Sequence, residues 1–203
     1  MLSTIAEKIR ADRSNRSDAP AVSRIVLLAG VLTLAVGATL QAQASPIGDP
    51  ASPHVRPARE IRALFDEAAL GSPEIRASID RLEALDVTVY IRARSFWQTD
   101  LEGQVALLAS AHGHRYLLIE LACGRLEVAQ MATLAHELFH ALEIARQPSI
   151  VDTRTLAAFY ARAGRQTSGM SGRLTFETTA AAEAGQRARR ELMHNPTRHR
   201  NGT

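Results

Sequence analysis

Hydrophobic spacing along the chain changes period twice, and each change marks a new kind of element. From Arg59 the apolar positions recur at helical spacing: Ile61, Leu64, Phe65 and Ala68 share one face, and beyond Gly71 a second helix turns Ile75, Ile79 and Leu82 inward. Ser72 followed by Pro73 reads as an N-cap with proline at the first helical position, where its missing N–H is not needed. The two helices predict a hairpin broken at Gly71. From Val87 the period falls to two, with Val87, Val89 and Ile91 inward and Thr88, Tyr90 and Arg92 outward, which predicts a strand. "QVALLAS" and "RYLLIEL" predict two more strands, joined through "AHGHR" with Gly113 at the turn. After Gly124 the helical period returns in "LEVAQMATLAHELFHALEIARQ", which Pro148 stops. A shorter helix from Asp152 to Ala163, a Gly/Ser loop "GRQTSGMSGR" and a last helix from Thr175 to Met193 complete the pattern. Helices, a small sheet with an antiparallel hairpin, then helices again define an α+β fold.

The N-terminus follows a different logic. Lys8, Arg10, Arg13, Arg16 and Arg24 precede an uncharged apolar run from Ile25 to Leu40, followed by Ala42-Gln43-Ala44. A basic leader, an apolar run too short for an ordinary span and a small-x-small site predict a signal peptide over residues 1–44, cleaved to leave Ser45 first. An uncleaved signal anchor through 25–40 is the alternative; either way the expected location is exported, periplasmic or secreted. "SPIGDPASPHVRPA", residues 45–58, holds four prolines and predicts a flexible linker. A domain over 59–193 and a disordered tail over 194–203 follow.

Composition narrows the function. The chain has 203 residues with 24 basic and 21 acidic side chains, and removal of residues 1–44 leaves 19 against 18. A near-neutral remainder without a basic cluster excludes an electrostatic footprint for nucleic acid. Cys123 is the only cysteine, so no internal disulfide is expected, and its place after "YLLIELA" predicts a buried, inert thiol.

The chemistry concentrates in "LAHELFHALE", residues 134–143. On a helix, Met131, Leu134, Leu138, Ala141, Leu142 and Ala145 form an apolar core face, while His136 and His140 lie together on the opposite one. Two imidazoles one turn apart can reach a single ion from the same direction, each at about 2.0–2.1 Å. Glu137, at the edge of that face, can meet a water at the ion's open position. A solvated polar helix face is the bland alternative.

At this motif the chain resembles the zincin metallopeptidases. The resemblance extends to Thr133 before the first histidine, to the uncharged Leu138 and Phe139 between the two, and to the apolar Leu142 after the second. It covers about ten residues. It implies one zinc ion held by His136 and His140, with Glu137 as catalytic general base. The metzincin third ligand is absent, because Glu143 stands at that family's glycine and Arg146 at its third histidine. The gluzincin solution, a downstream glutamate, leaves Glu177 and Glu183; the aspartate expected four residues after the former is Ala181. The chain is much smaller than thermolysin and looks closer to small bacterial proteins that keep a minimal zincin core.

Glu177 is the expected third ligand, on the reasoning that it centres an alanine-rich face of the last helix with Ala180, Ala181, Ala184, Ala188 and Leu192. A buried carboxylate there demands positive compensation. Glu183, near Arg187 and Arg190, reads as a surface ion pair. Glu143 or Asp152 could orient a histidine, and Tyr160 could donate to an oxyanion or simply belong to the core. His112 and His114, which flank the turn glycine, are expected to be solvated, with a role at the substrate edge as the alternative, and His194 and His199 in the tail to be inert. The expected function is an exported zinc metallopeptidase cleaving a peptide or protein substrate through a zinc-activated water. A non-catalytic zinc-binding or interaction domain is the alternative, and a metal-free anchored structural protein the third.

Overall fold

The computed structural model describes residues 25–26, 52–96, 101–168 and 174–194. The elements in chain order are β1 (Ile25–Val26), β2 (Val55–Pro57), a 3-10 turn (Arg59–Ile61), α1 (Arg62–Gly71), α2 (Pro73–Glu83), β3 (Val87–Arg94), β4 (Gly103–Ala111), β5 (His114–Ala122), α3 (Glu127–Ala145), α4 (Thr153–Ala163), β6 (Arg165–Ser168), β7 (Leu174–Glu177) and α5 (Thr179–His194). The fold is α+β: helices packed on a four-stranded mixed sheet of order β2-β3-β5-β4, with a second small sheet of order β1-β7-β6.

Alternation builds the larger sheet. Val87, Val89 and Ile91 of β3 are buried together with Leu117, Ile119 and Leu121 of β5, and each such aliphatic side chain contributes about 1.5–3 kcal/mol. β3 runs parallel to β5, pairing Val89 with Leu117, whereas β4 runs antiparallel and occupies the outer position. His112 at φ 51° and Gly113 at φ 84° turn β4 into β5; both central residues of this tight hairpin lie in the left-handed region.

The helix starts follow local chemistry. The Ser72 hydroxyl accepts from the Ile75 amide at 3.2 Å and caps α2, with Pro73 at its first position. Asp152 caps α4 through a reciprocal capping box with Thr155. Asp152 therefore serves the helix start rather than orienting a histidine.

α3 is buried on nearly every side, packing on β4 and β5, on α2 and most extensively on α5. Leu134, Leu138, Ala141 and Leu142 are fully enclosed as the apolar period requires, and so are Glu137, His140 and Ile144. The face carrying the histidines is thus covered by α5 and its neighbours.

Several sequence expectations need correction. Residues 55–57 of the 45–58 linker are strand β2, parallel to β3, with Val55 buried and the amides of His54 and Val55 held by the Glu83 carboxylate at 2.7 and 2.9 Å. The Gly/Ser loop contains β6, which pairs with β7 as an antiparallel hairpin. The last helix starts at Thr179, so Glu177 ends a strand and does not sit on that helix. Cys123 is exposed, because it falls on the turn after β5. The leader over residues 1–44, apart from Ile25–Val26, and the tail beyond His194 lie outside the described residues. Among the described residues, no helix is long and apolar enough to cross a membrane.

Candidate metal centre

His136 and His140 stand one turn apart on α3, and both rings are buried, at 5% and 0% exposure. Their Nε2 atoms are 3.0 Å apart, and His136 Nε2 lies 3.4 Å from Glu177 Oε1 at the end of β7. One donor atom from each of these three residues falls within 4.8 Å of the others. The structure therefore brings His136, His140 and Glu177 to one point, Glu177 arriving from a strand.

The atoms behind the histidines fix which nitrogens face that point. His140 Nδ1 is 2.7 Å from Glu143 Oε2; a carboxylate can only accept there, so Nδ1 carries the hydrogen and Nε2 keeps its lone pair. Glu143 is itself held: the Thr178 hydroxyl donates to its Oε1 at 2.8 Å and the Tyr160 hydroxyl to its Oε2 at 3.2 Å. Thr178, next in sequence after Glu177, also accepts from the Ala181 amide at 3.2 Å and so caps α5. Burial, reinforced by the nearby His140, pushes the His136 pKa well below the usual imidazole range, which favours the neutral form that ligates metals. Burial first, and then the charge of Glu143, drives the Tyr160 phenol well above its usual range, so it remains a donor.

Two of the three donor separations match those around a tetrahedral ion, and the third lies within 4.8 Å. Donors about 2.05 Å from one centre lie about 3.3 Å apart at tetrahedral angles, and the observed separations are 3.0 and 3.4 Å. Two imidazoles and a carboxylate with a partnered second nitrogen are the ligands and outer support that catalytic zinc sites use.

Glu137 is fully buried and lies against β4. A Cβ on Gly103 would come within 2.8 Å of Glu137 Oε1 and 2.6 Å of Thr133 Cγ2, so the close approach of β4 requires glycine there. Gly185 eases the approach of α5: a Cβ there would sit tightly against Ala132 O at 3.2 Å and His136 Cβ at 3.3 Å. Neither glycine carries a signal in the sequence, since each matters only where two distant segments meet. Thr178 had a readable signal, as a threonine at a helix start.

The other sequence candidates lie behind the centre or away from it. Glu183 is exposed and pairs with Arg187 at 3.7 Å, while Arg187 also reaches Glu74 of α2 at 2.9 Å. Tyr160 is a core residue whose hydroxyl is turned toward Glu143, behind His140. His114 instead bonds Thr88 Oγ1 at 2.9 Å on the sheet.

No protein-family model, no curated protein and no solved structure matches this chain.

Proposed function

We propose that the chain is a zinc-dependent metallopeptidase of zincin type, with His136, His140 and Glu177 as metal ligands and Glu137 as general base. The observation that carries this reading is the convergence of the three donors beside a glutamate that directly follows the first histidine. Bound zinc would supply a Lewis acid that makes water nucleophilic near neutral pH. Glu137 takes the proton as water attacks a peptide carbonyl, then returns it to the departing amine. Gly103 lets β4 press on the Glu137 carboxylate and restricts where that base can point. Glu143 holds the Nδ1 hydrogen of His140 and keeps Nε2 aimed at the metal. The substrate class is peptide or protein, met outside the cytoplasm once residues 1–44 have acted as an export leader.

Metal analysis of the purified chain, paired with hydrolysis of a mixed peptide library, tests the proposal. One zinc per chain is expected, and Glu137→Gln should retain it while losing hydrolysis by about 100-fold or more. Full hydrolysis by that variant, or stoichiometric iron in place of zinc, would overturn it. The burial of Glu137 and His140 favours a second reading, a non-catalytic zinc-binding domain. Stoichiometric zinc without hydrolysis by the native chain would select it.

A further inference from the structure

We propose that the edge of β7 not taken by β6 is the docking edge for an extended polypeptide, and that β1 is this chain's own occupant of it. β1 pairs antiparallel with β7, Ile25 opposite Phe176 and Val26 opposite Thr175. That register places the pairing backbone one residue from Glu177. β1 also lies with Cα atoms within 8 Å of β4, the outer strand of the larger sheet. It thus bridges the strand that ends in a candidate ligand and the strand whose Gly103 touches the candidate base. Strand addition draws its affinity from main-chain hydrogen bonds, so an edge that accepts Ile25–Val26 accepts other extended peptides of suitable length. As part of the same chain, β1 competes at high effective concentration. Ile25–Val26 take this edge in the full chain, and cleavage after Ala44 would remove them from it. The consequence for catalysis rests on the proposed peptidase activity; the docking itself does not.

The test uses the full-length chain with Cys123→Ser, Val26→Cys and Thr175→Cys. Opposed residues of an antiparallel pair have Cα atoms about 4.5–5.5 Å apart, inside the range a disulfide spans. A disulfide is expected under mild oxidation, and the oxidised protein should lose bound zinc to a chelator at least about tenfold more slowly than the same protein reduced. Val26→Pro, which removes one strand N–H, should speed that loss relative to the native chain. No cross-link beyond that of a control pair, Ser3→Cys with Thr175→Cys, would overturn the proposal, as would a cross-link that leaves chelation unchanged. A protein that cross-links but binds no zinc would sustain the docking of β1 and remove the metallopeptidase reading.

Discussion

Two carboxylates, Glu120 on the sheet and Glu143 on α3, are both withdrawn from water, and they are satisfied in opposite ways. Glu120 is 2% exposed and meets two guanidinium groups, Arg92 at 2.6 Å and Arg94 at 2.7 Å, together with the Gln104 amide. Burial alone would raise its pKa, but the hydrogen bonds from Arg92, Arg94 and Gln104 more than offset this and hold it below the usual carboxylate value. Glu143 has a threonine hydroxyl, a tyrosine hydroxyl and an imidazole N–H as its partners. Fixed cations saturate the charge of Glu120, which then has a structural role. The charge of Glu143 is positioned by uncharged hydroxyls and remains available to act on His140.

Removing a ligand should produce the largest effect. His140→Ala and Glu177→Ala should each weaken zinc binding by orders of magnitude in a chelator competition, whereas Glu183→Ala should leave it nearly unchanged, because Glu183 serves an exposed pair with Arg187. The reverse ranking of Glu177 and Glu183 would place the metal elsewhere.

The two contrasted carboxylates should then separate cleanly. Glu143→Ala should lower zinc affinity by about 10–100-fold, the range for loss of a partner behind a metal histidine. Glu120→Ala should leave zinc affinity unchanged and lower stability in urea by about 1–2 kcal/mol. That figure is below the cost of breaking a fully buried pair because Arg92 and Arg94 are 52% and 41% exposed. Equal effects of the two variants on zinc would erase the distinction.

The smallest effect concerns pH, read as the melting temperature of the metal-free protein. The folded His136 has a pKa well below the 6.5 of its unfolded form. The unfolded chain therefore takes up a proton first, and stability is lost as pH falls below 6.5 towards the folded value. Glu120 is depressed from 4.5, so its contribution is intact above that pH and is lost only as pH falls through its folded value. Destabilisation should therefore begin below pH 6.5 through His136 and gain a second contribution below pH 4.5 through Glu120, and His136→Gln should remove the onset at the higher pH alone.

The strands β3 to β5 and the helices α1 to α4 were legible because each carries its own hydrophobic period or cap. β3 matches its predicted limits, Val87 to Arg94. The hairpin β6–β7 was not, because "RQTS" and "LTFE" hold too few apolar residues to show alternation. β2 was missed because Val55 and Pro57 belong to the sheet through β3, a partner distant in the chain. The case of Glu177 is instructive. The inward face of α5 is Ala181, Ala184, Ala188 and Leu192, as its period requires, but the helix begins two residues after the glutamate that was assigned to it. The residue reaches the histidines as the end of a strand, and helical projection does not account for its position.

Thr178 gives the centre a property that no ligand has alone. Its hydroxyl joins the first turn of α5 to Glu143, a residue 35 positions earlier in the chain, and its backbone follows directly on Glu177. Closing that loop costs entropy that local contacts along α3 cannot return. An isolated peptide of the histidine helix should therefore bind metal only weakly, and tight binding should emerge late, once the C-terminal third has docked. An ion held there would act as a clasp that reports completion of folding, and its loss would release the same end of the molecule first.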